Sequence, residues 1–295
     1  LMASPLARSL FHRAIGQSGA QFNDRGNHMI SLDDAEAQGG RIAVAAGAES
    51  LAELRAATPG ALVAAAKKAR ARFNPVVDGH VLPETPDAAF RAGRQNDVPL
   101  MAGWTSAETK WIRQSLSEFQ AERDRLFAGH EQQAARLYPA ASVAEAQRMA
   151  ITMASDTWIV FGTWKWMELQ RKTGKSPVYR YLFDQVMATP EGPVPADDPG
   201  AAHATDIPFV FHALDYMGAP VSESDRATAD LMIDYWAEFA RDGDPNGPGL
   251  PAWPAYGSEK PYHIMRFKNG GAAEPESDRG RMKFIDSVNG RPLDH

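Results

Sequence analysis

The chain of 295 residues carries 31 Lys and Arg against 37 Asp and Glu, a formal net charge of −6. This balance argues against a general nucleic-acid or anionic-membrane partner, because either would need a basic face. No apolar run approaches the roughly 18 residues of a membrane-spanning helix, so no membrane insertion is predicted. The absence of cysteine excludes disulfides, thiolate metal sites and a cysteine nucleophile.

The beginning of the chain alternates helix-forming stretches with short apolar runs, which is the pattern of an α/β protein. Residues 4–11 predict the end of a helix, and residues 11–15 predict a strand. Ser31 is followed by two acidic residues and a helix-forming stretch that ends at Gly47. This arrangement predicts a helix with an N-cap serine, a favourable dipole and a terminal glycine.

The central part of the chain predicts both element types. Residues 50–72 predict one or two helices with a break at 58–60, where Thr, Pro and Gly follow one another. Residues 98–103 are apolar and bounded by turn residues, as expected of a buried parallel strand. Residues 115–173 predict helix throughout, with breaks near Gly129 and at the Tyr138–Pro139 pair.

The last part of the chain contains a long predicted loop between regular elements. Residues 178–183 predict a second buried strand, and the Pro-, Gly-, Ala- and Asp-rich residues 187–202 predict a surface loop. Residues 222–241 predict an amphipathic helix that starts at a serine. A strand at 262–267 and a closing helix at 278–288 complete the prediction.

A Gly16-Gln17-Ser18-Gly19 segment invites comparison with a nucleophile elbow. In that elbow, small residues two positions before and after the serine permit a strained strand-to-helix turn. Position 20 is Ala, and the next residues are polar and turn-forming rather than a helix start. The segment therefore favours a structural turn that closes a strand, and a hydrolase would need its nucleophile from outside this chain.

Four short segments occur in a fixed order between residues 4 and 256. They begin at Ser4, Gly103, Gly200 and Trp236 and read S-P-L-A…L-F-H-R-A-I-G-Q-S-G, G-W-T-S-A-E, G-A-A-H-A-T-D-I-P-F-V-F and W-A-E-F-A…G-D-P-N…W-P-A-Y. Their motifs, order and spacing resemble the type-B carboxylesterase/cholinesterase family.

The resemblance implies an α/β-hydrolase fold. Residues 1–295 would be the C-terminal part of a single such domain, with a mostly parallel sheet, flanking helices and a helical insertion at 110–175 that lines the pocket. The elbow serine and the oxyanion-hole glycines would then belong to an N-terminal part that this chain lacks, so the chain alone is expected to be inactive.

The resemblance also implies a Ser-His-Glu triad with two members on this chain. His203 matches the triad histidine and Glu108 matches the triad acid, which would orient the base and stabilise its imidazolium form. Outside these motifs, His203 would be interpreted as an ordinary loop histidine and Glu108 as a charge at a helix start. Ser106 and Ala107 differ from the Asp or Asn that family members often carry beside the acid.

Trp111 and Ile112 are the candidate substrate-binding residues, because aromatic side chains line the pocket at a similar place in the family. The alternative is that Trp111 only packs beneath the helical region. A further aromatic group in that region favours core packing over pocket lining: Trp158, Phe161, Trp164 and Trp166. The eight histidines lack H-E-x-x-H or comparable spacing, so neither a metal ion nor a cofactor is predicted.

The sequence therefore predicts a carboxylic ester hydrolase that acts on a small-molecule ester. Its expected partner is the N-terminal segment of the same protein, which could be a separate chain after cleavage. The alternative is a non-catalytic, cholinesterase-like adhesion protein that keeps the fold as a binding surface. The presence of both His203 and Glu108 favours the enzyme.

Overall fold

The computed structural model describes residues 1–19, 22, 29–190, 192–289 and 292–293. Seven strands lie in these ranges: β1 (Ala14–Gln17), β2 (Ile30–Ser31), β3 (Val76–Val77), β4 (Leu100–Thr105), β5 (Val178–Phe183), β6 (His263–Phe267) and β7 (Ala272–Pro275). Five of them form one sheet in the order β1-β4-β5-β6-β7, and β2 pairs with β3 in a small second sheet.

The main sheet is mostly parallel. The first four strands in its order run parallel, and only β7 runs antiparallel, against β6. The register pairs Gly103 of β4 with Gln17 of β1 on one side and with Tyr181 of β5 on the other. Every residue of β4 is buried, as the unbroken apolar run predicted.

Eleven α-helices lie in the described ranges: α1 (Leu32–Ala46), α2 (Leu51–Ala56), α3 (Pro59–Lys68), α4 (Pro86–Arg91), α5 (Leu116–Leu126), α6 (Glu131–Leu137), α7 (Val143–Ser155), α8 (Phe161–Thr173), α9 (Ile207–Val210), α10 (Glu223–Asp242) and α11 (Arg279–Val288). A π-helical turn, Asp156–Val160, joins α7 to α8. Short 3-10 turns occur at Pro5–Ala7 and Leu214–Met217.

Capping residues determine several helix ends where the sequence predicted them. The Ser31 hydroxyl accepts the Asp34 amide at the start of α1, and Gly47 ends that helix at φ 71°. Ser222 and Asp225 form a reciprocal capping box at the start of α10. These local hydrogen bonds satisfy amides that the first turn of a helix leaves unpaired, and they confirm the predicted helix starts.

Differences from the prediction occur in short elements. Residues 4–11 hold only the 3-10 turn Pro5–Ala7, because Ser4 makes no side-chain cap and Ser9 adopts a positive φ of 65°. The strand predicted at 11–15 begins three residues later, at Ala14, and the one predicted at 98–103 begins at Leu100. The sequence pattern did not predict β2, β3, β7, α4 and α9, which have six residues or fewer.

The sheet has a hydrophobic core on each face. Leu100, Ala102 and Trp104 of β4 pack on the same side as α8, whereas Met101 packs on the side of α10. This alternation is the two-residue period of a strand. The predicted strand at 178–183 follows the same rule, since Val178 joins the first core and Tyr179 the second. The result is a three-layer helix–sheet–helix arrangement.

Gly103 is required by the close approach of β4 and β5. A Cβ atom at this position would lie inside van der Waals distance of the Tyr181 carbonyl oxygen and ring. Gly103→Ala should lower the free energy of unfolding of the intact protein by about 1–3 kcal/mol or more, the usual effect of overpacking a core. Urea denaturation with a fixed m-value measures this change.

The matched control is Gly39→Ala, at a helical glycine of α1 whose added methyl would meet no atom within 4 Å. This variant should be more stable by roughly 0.5–1 kcal/mol, because alanine loses less backbone entropy in a helix. Equal effects of the two substitutions would contradict the packing argument.

Candidate active site

Three polar residues meet at the carboxyl ends of the parallel strands. Ser18 directly follows β1, Glu108 lies three residues beyond the end of β4, and His203 lies on the long loop after β5. Because β1, β4 and β5 are neighbours with the same direction, their carboxyl ends share one edge of the sheet. Open α/β sheets bind ligands at this edge.

Glu108 is fully buried and accepts hydrogen bonds on both oxygens. Its Oε1 accepts from the Ser18 hydroxyl at 2.6 Å and from the Thr105 amide at 2.8 Å. Its Oε2 lies 2.5 Å from Nδ1 of His203. A carboxylate without solvent contact is tolerated only when donors surround it, and these three donors meet that condition.

The same contact orients His203. A carboxylate at Nδ1 holds the ring in the tautomer with Nδ1 protonated, so that the lone pair is on Nε2. The side chain of His203 is 35% exposed, and no described residue is hydrogen-bonded to its Nε2. Nε2 of His203 therefore carries a lone pair on a partly exposed ring and has no hydrogen-bond partner among the described residues.

The loop that carries His203 is tied to the turn that carries Glu108. The Ala107 amide donates to the Ala201 carbonyl at 2.8 Å, and the Ala201 amide donates to the Ser106 hydroxyl at 2.9 Å. Gly200 adopts φ +128°, and a Cβ there would collide with Ser106. Ser106, which departs from the family motif, thus supports the histidine loop directly.

A second attachment lies three residues beyond His203. Asp206 accepts hydrogen bonds from the Gln17 side chain at 2.9 Å and from the Tyr181 hydroxyl at 3.2 Å. Burial, together with the Asp206 charge, raises the pKa of Tyr181 well above its usual value, so the phenol stays protonated and donates. The histidine loop is therefore fastened to β1 and β5 as well as to the acid turn.

Ser18 is a member of this group that the sequence analysis missed. Its amide donates to the Gly103 carbonyl at 2.9 Å, and its φ of 53° turns the chain sharply after β1. This position agrees with the predicted turn that closes a strand. The hydroxyl bonds to Glu108 rather than to His203, so the geometry is not that of a nucleophile. The polar stretch after Gly19 lies outside the described residues, apart from Phe22.

Two tryptophans form an aromatic wall beside His203. The Trp158 ring centroid lies 5.1 Å from that of His203, and the Trp111 ring meets Trp158 edge-on at 5.8 Å. Trp111 is 60% exposed, which does not agree with packing beneath the helices. Trp158 comes from the predicted aromatic group, in which Phe161 and Trp164 are buried as core residues.

Ile112 lies farther into the helical region. Its side chain is partly buried against the core on the α8 side of the sheet. Its amide donates to the Thr109 carbonyl at 3.0 Å, and its carbonyl accepts from the Gln147 side chain. The structure therefore joins Trp111 with Trp158 and His203, and it gives Ile112 mainly intramolecular contacts.

The described part of the chain contains neither of two other types of functional element. No cluster of three or more His, Asp or Glu side chains arranged to hold a metal ion occurs there. None of its helices combines the length and apolar character that a bilayer crossing demands.

A match to a known protein family shows which family this chain belongs to. Residues 1–285 match the carboxylesterase family. The chain belongs to the carboxylesterase family. This confirms the resemblance seen in the four sequence segments.

Curated carboxylesterases and a related hydrolase are similar over most of this chain. A medium-chain fatty acyl-CoA hydrolase precursor of Anas platyrhynchos is 28% identical over 291 residues, which cover 89% of this chain and 51% of the relative. Carboxylesterase 1C of Rattus norvegicus is 26% identical, with the same two coverages. This carboxylesterase-family chain therefore spans about half the length of the curated relatives it matches.

Solved structures of the family share the fold. A PNB esterase superposes with a TM-score of 0.72 at 25% identity, covering 95% of this chain and 59% of that structure. A carboxylesterase of Geobacillus stearothermophilus gives the same TM-score at 28% identity, covering 95% and 60%. The predicted α/β-hydrolase fold is therefore confirmed.

Ser18→Ala tests whether the hydroxyl supports the buried acid. Removing one of the three donors to Glu108 should lower the free energy of unfolding of the intact protein by about 1–3 kcal/mol, the usual penalty for a buried acceptor that loses its partner. Urea denaturation measures the change.

Ser258→Ala is the control, because Ser258 is exposed and its hydroxyl makes no hydrogen bond with the described residues. This variant should stay within about 0.5 kcal/mol of the unmodified protein. If Ser18→Ala has the same small effect, the bond to Glu108 contributes nothing measurable.

Proposed function

We propose that this chain supplies the base and the acid of a serine carboxylic ester hydrolase. The observation that supports the proposal most directly is the His203–Glu108 contact at 2.5 Å, with a buried acid and a partly exposed imidazole. An orienting carboxylate on one ring nitrogen and an accessible second nitrogen are what a general base requires.

In the proposed reaction, Nε2 of His203 removes the proton of a serine hydroxyl while that oxygen attacks the ester carbonyl carbon. Glu108, at the opposite ring nitrogen, stabilises the imidazolium. His203 then returns the proton to the departing alcohol, which leaves an acyl-enzyme. A water molecule, deprotonated by the same nitrogen, attacks the acyl carbon and releases the carboxylic acid and the free serine.

The serine of this proposal belongs to a complementary segment of the same protein. The relatives are about twice as long as the matched stretch, and Ser18 donates to the acid rather than to the base. An apolar groove of about 490 Å³ runs beside β1, the edge strand of the main sheet, and Ile15 and Trp166 contribute to its lining. An apolar groove beside a sheet edge is a surface that a further strand and helix would cover.

The relatives' names support the substrate class. They describe carboxylesterases and one fatty acyl-CoA hydrolase, which are proteins named for the hydrolysis of carboxylic esters or thioesters. A small-molecule carboxylic ester is accordingly the substrate proposed here, and the Trp111–Trp158 wall beside His203 would contact its acyl or alcohol group.

Replacement of the proposed base is the direct test. In the full-length protein, His203→Ala should lower kcat on p-nitrophenyl acetate by about 10³-fold or more, because the serine then lacks a proton acceptor. Glu108→Gln should lower kcat by a smaller factor, since the imidazole remains. Steady-state kinetics measure both effects.

His212→Ala is a matched control, because His212 also contacts a carboxylate at 2.7 Å, but that of Asp230 on α10 instead of Glu108. Its activity should stay close to that of the unmodified enzyme. A His203→Ala enzyme within tenfold of the unmodified one would overturn the assignment of the base, whereas no hydrolysis by the unmodified protein would favour a non-catalytic binding protein of the same fold.

The complementary segment is tested separately. Residues 1–295 expressed alone should not hydrolyse p-nitrophenyl acetate above the rate of a His203→Ala control, because the nucleophile is missing. The full-length protein should be active under the same conditions. Turnover by the isolated chain that is lost in the His203→Ala control would show that its nucleophile lies within residues 1–295.

Trp111 is proposed to limit the size of the acyl group. Trp111→Ala should shift preference toward longer acyl chains by roughly 1–3 kcal/mol in relative kcat/KM, the scale on which hydrophobic pockets discriminate. The measurement compares p-nitrophenyl acetate, butyrate and octanoate. Phe73→Ala, at an aromatic residue that is 77% exposed, is the control and should leave the ratios unchanged. If Trp111→Ala changes kcat/KM by the same factor for all three esters, Trp111 does not contact the substrate.

A further inference from the structure

A cationic cleft of about 390 Å³ lies at the amino ends of β5 and β6. Its lining comes from the end of α8, the turn before β6, the residue after β7 and the start of α11: Arg171, Lys172, Lys260, Pro261, Tyr262, Glu276, Arg279 and Lys283. His203 and Glu108 lie beyond the carboxyl ends of the same sheet. The six residues of β5, at about 3.3 Å each, separate the two ends by roughly 20 Å, so the cleft is distinct from the candidate active site.

The arginines of this region are neutralised by buried carboxylates. Arg171 and Arg279 both donate to Glu168, each with an N···O distance of 2.9 Å. Arg180, beneath the cleft, pairs with Glu276 and Asp278 at 2.6 Å each. Burial opposes ionisation of Glu168, but the hydrogen bonds from Arg279 and Arg171 outweigh it and lower its pKa. Three carboxylates therefore balance the three arginines.

Two lysines of the cleft, Lys260 and Lys283, add positive charge that no carboxylate in the described ranges pairs with. Lys172, Lys260 and Lys283 line it together, although the chain as a whole carries a net charge of −6. Lys260 and Lys283 form no ion pair with any residue in the described ranges. Positive groups gathered in a concavity raise the local potential, which a bound anion would relieve.

The cleft also holds hydrogen-bond donors in fixed positions. The Tyr262 ring contacts two guanidinium groups, with the Arg171 carbon at 5.2 Å and the Arg279 carbon at 4.4 Å from its centroid. Arg171 uses Nη2 for Glu168, and its Nε is buried without a hydrogen-bond partner among the described residues. Donors that are held before a ligand arrives lose little entropy on binding.

We propose that this cleft binds a small, multiply charged phosphate-type anion through Lys260, Lys283 and Arg171. Two lysines with no ion pair in the described ranges, beside the Arg171 Nε that has no hydrogen-bond partner there, favour a multivalent anion over a carboxylate, because ammonium and guanidinium groups form charge-assisted hydrogen bonds with phosphate oxygens. A cleft of about 390 Å³ suits a small anion, whereas a nucleic acid would need an extended basic stripe. The proposal is independent of ester hydrolysis.

Isothermal titration calorimetry of the intact protein with sodium pyrophosphate tests the proposal. The double variant Lys260→Glu/Lys283→Glu should bind at least about tenfold more weakly than the unmodified protein, because two attractive charges become repulsive. Lys67→Glu/Lys68→Glu, at exposed positions of α3, changes the net charge by the same amount and should bind normally. Lys260→Arg/Lys283→Arg should retain binding.

Three results would overturn the proposal. The first is the absence of binding to the unmodified protein in titrations at matched ionic strength. The second is equal weakening by the two charge-reversal pairs, which would indicate only the general field of the protein. The third is equally tight binding of acetate, which would remove the preference for a multivalent anion. If the reversed pair does not fold, Lys260→Gln/Lys283→Gln should still bind more weakly than Lys67→Gln/Lys68→Gln.

Discussion

The buried carboxylate of Glu108 connects three segments that are far apart in the chain. Ser18 lies 90 residues before it and His203 lies 95 residues after it, yet both contact its oxygens, and the Thr105 amide completes the set. Burying a charge is costly unless donors surround it. The acid is therefore stable only when β1, β4 and the loop after β5 are all in place, so the folding of the sheet and the assembly of the site are one event.

The packing of the sheet is what gives that site its precision. Glycine at position 103 lets β4 approach β5 closely enough for the Tyr181 ring to lie over it. Tyr181 in turn donates to Asp206, which anchors the loop of His203. A chain of contacts thus runs from a strand interior to the imidazole, and a side chain held by such contacts keeps its position within a fraction of an ångström.

The two ends of the sheet have different electrostatic designs. At the carboxyl end, one buried carboxylate is shared by neutral donors and one imidazole, and the ring nitrogen that faces outward is available for chemistry. At the amino end, buried carboxylates neutralise arginines, and lysines add an excess of positive charge. The first arrangement suits proton transfer and the second suits the capture of an anion.

The sequence alone determined the features that depend on neighbouring residues. Ser31 and Ser222 cap the helices they precede, the apolar residues of β4 and β5 form buried strands, and contiguous motifs singled out His203 and Glu108 as candidate site residues, which the structure places in contact. The contacts of Ser18 and Trp158, by contrast, were decided by the tertiary structure. Their partners lie 90 and 45 residues away, and no local periodicity encodes such a distance. Short elements such as β7 were missed for the same reason, since a strand of four residues is stable only against the neighbour that the fold supplies.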